Sequence, residues 1–232
     1  MNFGQHSARK ARISVITRAH NSEKFIRDAI DSALDQTFSR ELYEILVIDD
    51  GSVDDTRAIL KTYTDAVRVV ETKKLGPVKA ANLGVSHAKG YYFVLLDSDD
   101  ILDSKALEEF HKKIVQTRSD FVYSDYLERD VQTGEESIVS LKDDIFNSVA
   151  GGILFKRKLV LGLGGYDESL IFPEYDLLIR LIGEGCKHAH ISKPLFTYAR
   201  HQGSLTSDKK LVKRGLDQLH SKYGKKVNIR PY

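Results

Sequence analysis

Short apolar runs alternate with helical periodicity through the first hundred residues, and this alternation constrains the fold more than any other feature of the chain. ISVIT (13–17), EILVID (44–49), VRVVE (67–71) and YYFVLLD (91–97) are each strand-sized. After the first run, Phe25, Ile26, Ala29, Ile30, Ala33 and Leu34 recur at helical spacing, with Asn21 or Ser22 as the expected N-cap. Further helices are expected from about Asp54 and over 77–89. Strands alternating with helices through right-handed crossovers make an α/β protein with a Rossmann-like, mostly parallel sheet flanked by helices and a 3-2-1-4 strand order.

The second half is less regular. A helix is expected from Ser104 to about Thr117, with Leu107, Phe110, Ile114 and Val115 inward. DFVYSDYLERD predicts a strand entering a hairpin near Thr133–Gly134, and AGGILFKRKLVLGLGGYDE a short helix among turns. EYDLLIRLIGEG predicts a helix stopping at Gly183 or Gly185, CKHAHIS and LFTYARH two short strands, and 208–223 a last amphipathic helix. With no repeat or low-complexity linker, residues 1–232 are expected to form one domain. It comprises a nucleotide-binding half at about 12–104, an acceptor and catalytic half at 105–206, and a C-terminal helix and tail at 207–232.

Composition narrows the class. An apolar content of 41% suits a globular core, and a net charge of +2 gives no global attraction to nucleic acid. The single cysteine, Cys186, excludes an intrachain disulfide and a multi-cysteine metal site. The basic start MNFGQHSARKAR precedes no signal-length apolar run, and no window reaches transmembrane length, so a cytoplasmic protein is expected. Lys209, Lys210, Lys213, Arg214, Lys222, Lys225 and Lys226 would allow a peripheral contact at the inner membrane surface; a helix with one packed and one solvated face is the simpler explanation and the one expected.

In an open parallel sheet, ligands bind beyond the carboxyl ends of the strands. IDDGS (48–52) and LDSDD (96–100) fall at two such ends, beside the first strand. Four carboxylates, Asp97, Asp99, Asp100 and Asp103, crowd LLDSDDILD, and a hard cation such as Mg²⁺ or Mn²⁺ would offset their repulsion. Plain structural roles compete: Asp103 suits a helix cap, and Asp49–Ser52 suits a turn.

Taken in order, ISVIT…HN, AIDSALDQTF, EILVIDDGSVDDT and KAANLGVSHAKGYYFVLLDSDD resemble the inverting glycosyltransferases of family 2, which have the A-type fold. The resemblance covers about 12–104 strongly and 150–205 loosely. It implies a nucleotide-sugar donor, usually UDP-linked, a divalent cation, and transfer to a hydroxyl of a glycan or lipid-linked acceptor. Asp50 matches the uracil-contacting carboxylate. Asp97 and Asp99 match the Asp-x-Asp motif, with Asp99 the direct metal ligand and Asp97 facing the ribose or reaching the metal through water. FPEYDLLIRL places Glu174 at the catalytic-base position, with Asp176 as the alternative. FTYARHQGSLT offers His201 as a metal ligand and Arg200 or Ser204 to the diphosphate.

Several positions depart from the family pattern. In TRAHN, His20 replaces the aromatic expected near uracil, and Arg18 is an added cation near the diphosphate or base. Ala81 stands where the family has Arg, leaving Lys79, one helical side away, as a nucleotide-sugar-binding candidate. These departures motivate a rival reading, a catalytically silent nucleotide- or glycan-binding module. The glycine-free ISVITRAHNSEKF counts against a sugar nucleotidyltransferase, and no Gly-x-Gly-x-x-Gly supports a dinucleotide oxidoreductase.

Overall fold

The computed structural model describes residues 12–142, 144–147 and 151–224. The first half runs β1 (Ile13–Ala19), α1 (Ile26–Leu34), β2 (Tyr43–Asp50), α2 (Thr56–Lys61), β3 (Arg68–Thr72), α3 (Pro77–His87) and β4 (Tyr92–Leu95). Then follow β5 (Ile101–Leu102), α4 (Ala106–Thr117), β6 (Phe121–Asp130), β7 (Glu136–Val139), β8 (Ile153–Lys156) and α5 (Arg157–Gly162). The chain continues through α6 (Pro173–Gly183), β9 (His188–Arg200) and α7 (Lys209–Tyr223).

Among the described residues, nine strands join one sheet in the order β3-β2-β1-β4-β8-β6-β9-β5, with β7 paired to β6. The first four strands are parallel in the expected 3-2-1-4 order, and β1 lies central with both faces covered. Beyond β4 the sheet is mixed: β8 runs antiparallel to β4 and β6, whereas β6 and β9 are parallel. α3 lies close against β1 because residue 84 is glycine; a Cβ there would collide with the Ile16 side chain. Each fully buried Ile or Leu in this layer contributes on the order of 2 kcal/mol.

Several sequence expectations are corrected. Asn21 and Ser22 do not cap α1. Asn21 is left-handed (φ 52°) and its side chain accepts from Val53 N–H, while Thr56 Oγ1 accepts from Ser22 N–H. These residues tie the β1–α1 loop to the β2–α2 loop instead. Val115 is 54% exposed, because the inward stripe of α4 is Ala106, Leu107, Phe110 and Ile114. ILFK within the glycine-rich stretch is a strand, and CKHAHIS and LFTYARH lie on one strand, β9, whose register against β6 shifts on either side of Asp125.

β5 matters most for the site. This two-residue strand pairs antiparallel with β9, Ile101 opposite Thr197 and Leu102 opposite Phe196, and turns the acidic segment toward the end of β9. A smaller core of Leu170, Phe172, Tyr175, Val212 and Leu219 joins α7 to the start of α6, and a Cβ on Gly215 would strike the Phe172 ring. α7 buries Val212, Gly215 and Leu219 and exposes Lys209, Lys210, Lys213 and Arg214, the packed-and-solvated pattern; Lys225, Lys226, the rest of the tail and the basic stretch before Arg12 lie outside the described residues. Among the described residues, no helix is long and apolar enough to cross a membrane.

Candidate active site

The carboxyl ends of β1, β2 and β4 open on a cleft of about 280 Å³. Arg18 and His20 enter it from β1, Asp50 from β2, Lys74 and Pro77 from the β3–α3 connection, and Asp97–Asp100 from the segment after β4. The opposite wall is Phe172–Glu174 around the start of α6, with Tyr198 of β9 and Gly203–Leu205 beyond the end of that strand.

One line of charge crosses this cleft. Arg18 grips Asp97 through Nε (2.8 Å to Oδ1) and Nη2 (2.5 and 2.7 Å to the two oxygens), while its Nη1 stands 3.9 Å from Glu174 Oε1. Burial works against the guanidinium charge, but Asp97 and Glu174 outweigh it and raise Arg18 above its ordinary value. Glu174 is also raised: burial pushes it up and outweighs the pull of Arg18.

A second carboxylate chain lies beside the first. Asp99 Oδ2 is 2.9 Å from His201 Nε2, and the imidazole stacks on Phe25 at 5.0 Å. Gly203 N–H donates to His201 Nδ1 at 3.1 Å, so the network assigns the proton to Nε2, which donates to Asp99. Asp100 is buried and accepts from Ala199 N–H at 2.9 Å. Burial, then the neighbouring carboxylates, hold Asp100 well above the usual carboxylate range; burial and Asp97 raise Asp99 despite its bond to His201. Among the described residues, no three His, Cys, Asp or Glu side chains converge as a ready metal cage. The oxygen-rich, mutually repelling carboxylates with an imidazole behind them have the donor chemistry of a hard divalent cation site, and Asp99 and His201 are the residues that could hold one.

The remaining sequence candidates separate. Asp50 lines the cleft, and its oxygens accept from Leu75 N–H (2.6 Å) and Gly76 N–H (2.8 Å), mooring the β3–α3 connection. Its own carbonyl meets His20 Nδ1 at 2.8 Å. Asp49 is structural, accepting from Ser52 N–H and Arg57 Nε. Asp103 Oδ1 accepts from Lys105 N–H just ahead of α4, and the helix itself has no side-chain cap. Lys79 is exposed and outside the cleft lining, since it lies on another side of α3. Arg200 is likewise outside the cleft lining, its Nη1 3.4 Å from Glu128 Oε1.

The two base candidates also separate. Asp176 is wholly buried, held by Arg180 Nε at 2.7 Å, Tyr223 Oη at 2.5 Å and Lys222 Nζ at 2.7 Å. It faces α7 rather than the cleft, so a base at 176 is corrected to a structural anchor.

Sequence reasoning missed three contributors. Lys74 lines the cleft where Lys79 does not; its signal was its place just before the α3 start at Pro77. Asn82 clamps Tyr166 in both directions, accepting from its N–H at 2.8 Å and donating to its carbonyl at 2.9 Å. Phe25 supports His201 by stacking, a contact between residues far apart in the chain that carries no local signal.

Residues 14–165 match the model of Glycosyl transferase family 2. The chain is 25% identical over 220 residues to glycosyltransferase GlyA of Streptococcus pneumoniae, covering 84% of this chain but 31% of that protein, so it spans about a third of that relative. Among solved structures, Staphylococcus aureus TarS 1–349 in complex with UDP-GlcNAc superposes with a TM-score of 0.71 at 19% identity, covering 90% of this chain and 66% of that one. The mannosyltransferase PcManGT of Pyrobaculum calidifontis, in complex with GDP-Man and Mn²⁺, superposes at 0.74 with 20% identity, covering 92% and 64%. At these identities the likeness establishes a shared fold.

Proposed function

The chain belongs to Glycosyl transferase family 2, and on that premise we propose that it transfers a sugar from a nucleotide-sugar donor, UDP-linked, to an acceptor hydroxyl with inversion. One observation carries the reading: Glu174, a carboxylate raised by burial, opens on the same cleft as Asp50 and Asp97–Asp99. A base must sit within reach of the acceptor proton, and a pKa raised toward the working pH improves its proton transfer. Its place in the first turn of α6 fixes its position rigidly.

In this reading the nucleotide lies along the β1–β2 edge. Asp50 uses lone pairs left free by Leu75 and Gly76 to accept uracil N3–H, and His20 provides a flat surface beside it. Arg18 and Lys74 supply positive charge to the diphosphate side. Asp99 and His201 would hold the divalent cation, with Asp97 facing the ribose; when bound, that ion supplies charge stabilisation for the departing diphosphate. Glu174 takes the acceptor proton as the sugar–phosphate bond breaks. The acceptor, a glycan or a lipid-linked sugar, enters from the α6 side. TarS binding UDP-GlcNAc and PcManGT binding GDP-Man support the donor class, and the Mn²⁺ complex of PcManGT supports the cation.

The test is nucleotide release from a panel of UDP- and GDP-sugars with glycan acceptors, with and without Mn²⁺. Release with a UDP-sugar, lost in Glu174→Gln, supports the proposal. UDP binding without turnover under every donor and acceptor favours the silent module, a reading that the Arg18–Asp97 pair itself motivates.

A further inference from the structure

Arg18 does more than add positive charge to the cleft. Its fork uses both oxygens of Asp97, at 2.5–2.8 Å, and its Nη1 also donates to the Pro77 carbonyl at 3.4 Å. The Arg18 side chain is 12% exposed and that of Asp97 28%, so the guanidinium side of the pair is the more shielded from water. A guanidinium keeps its proton, and a fork on a carboxylate is the strongest pairing available to it. Asp97 thus enters the donor site already neutralised. Asp99, by contrast, meets the His201 imidazole at 2.9 Å, and Asp100 meets one backbone N–H.

We propose that Arg18 is a resident cation that competes with the divalent ion for Asp97, so that the ion-binding set in this chain is Asp99 and His201 rather than the full acidic motif. The proposal deepens the transferase reading and rests on it. Its physical basis is charge balance. Asp97, Asp99 and Asp100 crowd one wall of the cleft, and Glu174 faces them from the other, 3.9 Å from Arg18 Nη1. A fixed guanidinium relieves that repulsion before any ligand arrives. The same fixed charge repels an incoming divalent ion and withholds the two oxygens that Asp97 would otherwise offer. Removing it should strengthen ion binding by about tenfold or more.

The test uses Mn²⁺ itself, titrated into nucleotide-free protein by calorimetry, with the bound fraction followed by electron paramagnetic resonance. Arg18→Ala should bind Mn²⁺ about tenfold more tightly than the wild type. Asp97→Asn should cost far more Mn²⁺ affinity in the Arg18→Ala background than in the wild type, because only there is Asp97 free. Arg18→Lys keeps the charge but loses the fork, so its Mn²⁺ affinity should fall between the two; it also keeps the test open if the alanine variant misfolds. Equal or weaker Mn²⁺ binding in folded Arg18→Ala, or an equal Asp97→Asn effect in both backgrounds, overturns the proposal. Separate UDP titrations keep the two readings apart. UDP binding with unchanged Mn²⁺ affinity defeats this inference alone, whereas loss of all nucleotide binding by the wild type defeats the transferase reading.

Discussion

Replacing Asp176 by Asn and, separately, Glu174 by Gln should give opposite results, although the two residues lie two positions apart on one helix. Asp176 is fully buried and accepts from Arg180, Lys222 and Tyr223. An Asn keeps the volume and one acceptor, but it removes the charge and points an N–H₂ at a wall of donors. Breaking a buried ion pair by removing one partner costs about 3–5 kcal/mol. Lys222 is 38% exposed, so its share is discounted for solvent screening, which leaves about 3 kcal/mol from Arg180 and Tyr223. For a chain of this size, that lowers Tm by about 6–12 °C. Because Asp176 faces α7, kcat measured well below Tm should fall less than about tenfold. Glu174 lines the cleft, its nearest charged partner Arg18 standing 3.9 Å away, and should behave inversely: kcat drops by about 10²–10⁴ while Tm shifts little. Differential scanning fluorimetry and single-turnover transfer, on the same preparations, read both quantities. Loss of turnover in Asp176→Asn with an unchanged Tm would refute the assignment of base and anchor.

Three further outcomes follow from the geometry. A base works ionised, and burial raises Glu174 above its ordinary value, so kcat/KM should fall as pH drops through a midpoint above about 4.5; Arg18→Ala, by removing the opposing charge, should move that midpoint higher, and an acid limb at or below the ordinary value counts against the role. Asp50→Asn turns an N–H₂ toward either Leu75 N–H or Gly76 N–H and removes an acceptor for uracil, so UDP affinity by calorimetry should fall by about tenfold; unchanged affinity would take Asp50 out of nucleotide recognition. Gly215→Ala pushes a methyl into the Phe172 ring and should cost about 1–3 kcal/mol in denaturant unfolding, with no loss meaning that α7 packs less tightly than its contacts indicate.

Local pattern was enough for the parallel half. Strand-length apolar runs and 3.6-residue periodicity register through near-neighbour chemistry, and the strands they predict lie in the sheet in the expected order. Local pattern was weakest where pairing is long-range. β8 is short and set among glycines, and its partners β4 and β6 are remote in sequence, so ILFK had no periodic signal of its own. β9 looked like two strands because Ser192, Lys193 and Pro194 interrupt its apolar pattern, while pairing with β6 carries the backbone through that interruption by a register shift.

The amino-acid sequence by itself determined the Rossmann-like half, the family motifs and the acidic groups at the carboxyl ends of β2 and β4, because periodicity and short motifs are encoded within a few residues. The tertiary structure alone decided what those groups face. β5 turns the acidic segment back to meet His201, 102 residues away from Asp99. Helical geometry then turns Glu174 to the cleft and Asp176 to α7. Arg18 reaches across 79 residues to neutralise Asp97. Side-chain direction and burial set charge and role at each of these positions, and both arise from contacts between segments that no local stretch of sequence contains.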